Sequence, residues 1–339
     1  MGRFMRKLLL IVAALAFSLP AHTATLKIAT VTPEGSQWMK DMRSGAKEIK
    51  ERTEGRVQIK FYGGGIKGDD KKVLGQIRIR QLQGGAFTPT ALASQYSDLN
   101  LYGMPLVFDS EEEAAFVRSR LDDRLRKGLE EKGFVNFGFA TSGFANIMSN
   151  TPVRSHADLK GKRVWVPEGD TISYESMKAL SLSPVTLPLT DVLTGLQTGL
   201  IDIIAIPPIV ALIMQWHTKA KYVTRVPLVY TFGFMAVDKK TFDKIDPADQ
   251  AVVREVMDRI YKNFDKVNLV DNENAYEALL NSGIEAVEFD QAAYVETRAM
   301  LLASNRQMGE QGKFSLDIYD EMMRYVDEYR NQRGAAGSD

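Results

Sequence analysis

The chain has 339 residues, 45% hydrophobic and 25% charged, which excludes a disordered, collagen-like or polytopic membrane protein and leaves room for two globular domains. Lys plus Arg and Asp plus Glu both number 43, so no global basic field exists to hold a nucleic acid or an anionic lipid surface. There is no cysteine, which excludes disulfides, thiolate metal sites and a cysteine nucleophile. The three histidines, His22, His156 and His217, leave little for histidine catalysis.

Residues 1–24 combine a basic start (Arg3, Arg6, Lys7), an apolar run Leu8–Leu19, and then Pro20 and small residues, the pattern of a Sec signal peptide. The apolar run is too short to span about 30 Å of hydrocarbon as a helix. The expected mature protein is exported to the periplasm, with no direct insertion into the membrane.

From Leu26 strands and helices alternate. Leu26–Thr30 reads as a strand, and Ser36 as an N-cap before a helical face of Trp38, Met42, Ala46 and Ile49. Val57, Ile59 and Phe61 alternate with polar residues as a second strand. The Gly63–Gly68 turn leads to a helix through Val73, Leu74 and Ile77, then to a buried segment Gly84–Thr88. A second series begins near Asn150, with strands at 163–166, 184–187 and 201–205 and helices at 172–180 and 191–198. Such alternation implies a largely parallel sheet covered on both faces. Leu228–Val237 reads as a strand returning to the first domain. Asp246-Pro247 then opens a helix whose next strong stop is Gly283. Unbroken, that helix measures roughly 55 Å, more than one domain of this size needs, so it is expected to lie across both. The expected organisation is a leader at 1–24, lobe I at 25–149 with part of 235–283 returning to it, and lobe II at 150–234. The crossover strand, the long helix and the C-terminal helices occupy 235–339.

The motifs offer little chemistry. Gly63–Gly68 fits G-x-G-x-x-G, but the ribose-binding acid expected about 20 residues on would fall in 81–88, where no Asp or Glu occurs. The stretch reads as a plain turn. His156 and His217 lack ligand partners at helical spacing, no G-x-S-x-G elbow is present, and the acidic run Asp109–Glu113 reads as a solvated helix start. What remains is an exported α/β chain of two lobes that can close over a solute by hinge motion.

Asp158-Leu159-Lys160-Gly161, Val164-Trp165-Val166-Pro167, Leu196-Gln197-Thr198-Gly199 and Asp202 make the sequence resemble the substrate-binding subunit of TRAP transporters, the DctP-type family. Thr53-Glu54-Gly55-Arg56-Val57 and Met104-Pro105-Leu106-Val107-Phe108 extend the likeness over nearly the whole mature chain. The resemblance implies a two-lobed periplasmic receptor, a clamshell with a long helix spanning both lobes. It implies a small organic solute and TRAP-type membrane permease subunits as partners, with no cofactor, metal, catalytic residue or nucleic acid.

The chain departs from that family where the ligand is read. The family's usual arginine, which grips a carboxylate with a planar fork, falls at Trp165, and a second arginine of some members falls near Ala145. Apolar Ile203, Ile204, Ala205 and Ile206 precede Pro207 where amides are common. Loss of the fork removes charge-assisted bonds of about 1.5–3 kcal/mol each. Trp165, Phe87, Phe144, Leu189, Ile206 and Trp216 are therefore the candidates to line a cleft for a low-polarity or aromatic solute, with Glu34, Thr88, Asn146 and Glu168 as polar contacts. Several of these also suit a buried core. Two other readings stay open: an ordinary organic acid read by Arg163 or Arg225, and an exported hydrolase or isomerase using Glu34 with Glu168.

Overall fold

The structure is a computed structural model that describes residues 23–336, and the leader at 1–24 lies almost wholly outside the described residues. The chain begins β1 (Ala24–Ala29), α1 (Gln37–Arg52), β2 (Val57–Tyr62), α2 (Asp70–Arg78), β3 (Gly84–Phe87). Ser36 caps α1 by accepting from the Met39 N–H, and Met39, Met42, Ala46 and Ile49 are its buried face. Both β2 and β3 pair parallel with β1, which requires the intervening helices as crossovers. The Gly63–Gly68 run is a turn in which Gly64, Gly65 and Gly68 take positive φ, joining β2 to α2.

Next come α3 (Glu111–Glu131), β4 (Phe134–Asn136) and β5 (Ala140–Ser149), then β6 (Trp165–Pro167), α4 (Thr171–Ala179), β7 (Val185–Leu187), α5 (Val192–Thr198), β8 (Ile203–Ile206) and α6 (Pro208–Ile213). The chain ends with β9 (Tyr222–Asp238), α7 (Lys239–Phe242), α8 (Pro247–Asn281), β10 (Glu285–Glu288), α9 (Gln291–Glu310) and α10 (Leu316–Ala336).

β9 organises the sheet. Its C-terminal end is antiparallel to β3 and β4, its N-terminal end is parallel to β10, and β5 runs antiparallel along most of it. β5 also pairs β8, and a bridge from Val164 to Ile203 joins β6 and β7 to the same side. Two long strands thus carry the chain between lobes. The β5–β9 register shifts between Thr141 and Gly143 and again between Ala145 and Ile147, and such bulges bend a strand. Gly143 has φ +84, and a Cβ there would stand 2.6 Å from the Asn272 amide, so the bend needs glycine.

One lobe closes around Leu26, Ile28, Met42, Phe108 and Phe234. The other has two smaller apolar clusters, one with Val164, Val166 and Ile203, the other with Trp165, Ile204 and Trp216. α8, 35 residues long, starts where Asp246 accepts from the Ala248 N–H and Pro247 takes the first turn. It buries Val253, Val256 and Met257 in the first core and Tyr276 and Leu279 in the second, so it lies across both lobes.

The acidic run is not a solvated helix start. Ser110 does cap α3, but Glu113 is 1% exposed and its carboxylate meets Arg330 at 2.6 Å, while Asp109 meets Arg298 at 2.6 Å. α9 and α10 fold back over this helix start, a long-range contact that no local pattern carries.

Candidate ligand-binding cleft

A cavity of about 350 Å³ lies between the lobes, with the crossing strands among its walls. Thr30, Trp38, Phe87 and Thr88 line it from one lobe, Tyr230 and Phe232 from β9, and Trp165, Leu189 and Ile206 from the other lobe. The lobes touch at its edge. Lys71 meets Glu168 at 3.7 Å, and a Cβ on Gly169 would sit 3.4 Å from the Thr90 carbonyl oxygen.

Alternation along β6 sends Val164 and Val166 into one cluster and Trp165 into the other. The Trp165 indole fronts the cavity but gives its N–H to the Leu187 carbonyl at 3.0 Å. Indole has no second donor, so Trp165 offers a solute an apolar surface alone. Thr88 is tied to Thr90, hydroxyl to hydroxyl, at 2.9 Å.

Of the residues singled out from sequence, Trp165, Phe87, Thr88, Leu189 and Ile206 share the lining. Phe144, Asn146, Glu34, Trp216 and Glu168 do not. On β5 it is Ala145 and Ile147 that face the cavity, so their neighbours Phe144 and Asn146 point the other way. Phe144 packs on Tyr230, and the Asn146 side-chain oxygen accepts from the Val226 N–H at 3.4 Å. Trp216 is 1% exposed behind Trp165. Glu34 is held by Arg43 at 2.6 Å and by the Gly63 N–H at 3.0 Å, bonds that keep its carboxyl below the usual range. Glu34 and Glu168 are thus ion-paired to different lysine and arginine partners and do not form an acid/base pair in the cavity.

Neither alternative arginine fronts the cavity. Arg163 forks onto Asp202 at 2.8 and 2.6 Å, and Arg225 pairs with Glu273 and lies over the Tyr276 ring. Among the described residues no Lys, Arg or His belongs to the lining, and no cluster of His, Cys, Asp and Glu could hold a metal ion.

Sequence reasoning missed the polar points of the wall: Asp70, Asn100, Asp170 and Asn268. Asp69 takes the capping role on α2, accepting from the Lys72 N–H at 2.8 Å, which leaves Asp70 to face the cavity. Asp170 caps α4, accepting from the Ser173 N–H at 2.9 Å. Burial pushes the Asp70 carboxyl up to about 7, with Asp69 adding to it, and burial raises Asp170 against its bonds to Ser173. Asn268 reaches in from α8 and donates to the Thr141 carbonyl at 2.7 Å. The doubled acid at the start of α2 was the available signal for Asp70. Asn100 sits in a 3₁₀ turn with no periodic cue.

The sequence profile of the bacterial extracellular solute-binding protein family 7 matches residues 28–311. The 2,3-diketo-L-gulonate-binding periplasmic protein YiaO of Escherichia coli is 21% identical over 249 residues, 73% of this chain and 76% of that protein. The structure of the sugar acid binding protein DctPAm from Advenella mimigardefordensis with galactonate superposes with a TM-score of 0.83 at 18% identity, over 90% of this chain and 98% of that one. A TRAP periplasmic solute binding protein from Haemophilus influenzae with bound L-gulonate gives 0.82 at 18% identity, over 90% and 99%. At such identity the structural likeness is one of fold.

Proposed function

The chain belongs to the bacterial extracellular solute-binding proteins of family 7, receptors and not enzymes, and we propose that it delivers a low-polarity or aromatic organic solute to a TRAP-type membrane permease from the periplasm. The observation that carries this reading is the absence of any basic side chain from the cavity wall among the described residues. A carboxylate taken out of water needs charge-assisted bonds, and an apolar wall with two aspartates supplies the wrong sign. Trp165 instead gives stacking surface, as do Phe87, Leu189 and Ile206 for an apolar body. Closure of the lobes over the solute creates the surface a permease would read, and the bent crossing of β5 and β9 is where that motion turns.

The sugar acids bound by similar proteins favour a second reading, an acid held by backbone N–H groups. A thermal-shift screen of sugar, keto and hydroxy acids beside neutral aromatic and aliphatic compounds separates the two. The low-polarity reading expects stabilisation by members of the second set and none by the acids. Stabilisation by an acid alone would overturn it.

A further inference from the structure

We propose that the solute carries a protonated nitrogen that meets Asp70, so that the cleft selects amphiphilic amines over acids or alcohols of the same body. This deepens the low-polarity reading above and rests on it. Asp70 is the first residue of α2, it fronts the cavity, and its carboxyl has no hydrogen-bond or ion-pair partner among the described residues. The charges around it are spoken for. Asp69 caps the helix, Lys72 approaches Asp69 at 3.9 Å, and Lys71 reaches across to Glu168 at 3.7 Å. A carboxylate facing an apolar chamber without a counter-charge is costly, and a ligand cation is the partner that relieves the cost.

Two further groups point the same way. Asn100 is 7% exposed, lines the same cavity, and its side-chain amide has no hydrogen-bond partner among the described residues. The amide opens onto the cavity, so its donor and acceptor are free to meet the polar head of whatever the cavity holds. Asp170 stands on the wall contributed by the other lobe, so both acidic points of the lining favour a donor-bearing head. An acid head would meet two aspartates and no cation among the described residues.

Because burial lifts Asp70 to about 7, the free site holds it largely protonated in mild acid, whereas a bound ammonium requires it ionised. Among the described residues the only other titratable side chains in the wall are Asp170 and Tyr230, the latter bonded to Arg118 and raised to about 12, while Asp69 and the Lys71–Glu168 pair stand beside it outside the lining. Amine affinity therefore rises with pH up to neutrality, by roughly tenfold per unit below it, and levels off above.

The test uses the full mature protein with the neutral dye N-phenyl-1-naphthylamine as reporter, displaced by matched n-alkylamines, n-alkanols and n-alkanoates of six to ten carbons between pH 5.5 and 8.5. The expected result is that at pH 8 the amine competes at least tenfold better than the alcohol of equal length, and that the advantage fades below pH 7. Asp70→Asn is expected to bring the amine down to the alcohol's level with alcohol affinity and melting temperature retained. Equal competition by amine and alcohol, or best competition by the alkanoate, overturns the proposal while leaving the apolar receptor reading intact. Failure of the dye and all three series to bind defeats both. The wild-type series decides even if the variant fails to fold.

Discussion

The indole of Trp165 stands edge-on to that of Trp216, ring centroids 5.5 Å apart and planes at 80°, while its N–H is spent on the Leu187 carbonyl. One tryptophan forms the wall and the other backs it. Trp165→Phe keeps an aromatic contact and loses the hydrogen bond, for an expected cost of about 1 kcal/mol by urea unfolding. Trp165→Ala empties the space and is expected to cost about 3–5 kcal/mol and to abolish binding of an apolar solute. Calorimetry with any solute found by the thermal-shift screen checks the second part, and unchanged affinity would mean the indole does not bound the site.

Gly169 is one of the points where the lobes approach each other. It holds φ +88, and a Cβ would come into ordinary contact, 3.4 Å, with the Thr90 carbonyl oxygen across the cleft. Gly169→Ala is expected to cost about 1–2 kcal/mol in backbone strain. That strain lies in the turn itself, so it is read as a lowered urea midpoint. Glu168→Gln beside it removes only an exposed ion pair with Lys71 and should change stability by less than about 0.5 kcal/mol.

Much of the frame can be read in the sequence because its signals are local. Ser36, Asp246-Pro247 and the alternation of Val57, Ile59 and Phe61 each act within one turn or one strand, and the structure uses all three. The site was less legible. Which face of β5 meets the cavity depends on the register with β9, and Phe144 and Asn146 fall on the wrong side of a bulged strand. Asp70 and Asn100 owe their roles to where a helix start and a 3₁₀ turn stand against the cavity, which no local pattern carries. Glu113 owes its burial to Arg330, 217 positions away along the chain.

That last pair yields a stability prediction. The Glu113 carboxylate, 1% exposed, accepts from the Arg330 guanidinium at 2.6 Å, and Arg330 also donates to the Val107 carbonyl at 2.9 Å. Arg330→Ala leaves a buried acid without its cation, with an expected loss of about 3–5 kcal/mol. Arg330→Ala with Glu113→Gln should recover a good part of it. A double variant as unstable as the single one would mean that the Val107 contact or packing, rather than charge, fixes α10 to α3.

The pH dependence of stability has a definite sign. Burial raises Glu111 from 4.5 to about 7 against the pull of the Phe144 N–H, and Asp70 is raised from 3.8 to about 7. Between the unfolded and folded values the native state holds protons that the unfolded chain has released. Stability contributed by these groups is therefore highest in acid and falls as pH climbs to neutrality. Glu34, Asp202 and Glu255, lowered by their arginine partners, act oppositely and lose their contribution at lower pH. The urea midpoint is expected to fall from pH 5 to pH 7.5, and Glu111→Gln to flatten that slope. A wild-type midpoint that rises across this range would contradict the assignment.

If the two lobes enclose a solute without a guanidinium to grip it, the bound molecule carries no free carboxylate. Native mass spectrometry of the protein released from the periplasm, never refolded, tests this most directly. The expected result is a co-purified adduct whose mass identifies a low-polarity organic molecule lacking a free carboxylate. An adduct of sugar-acid or dicarboxylate mass that survives dialysis would contradict it.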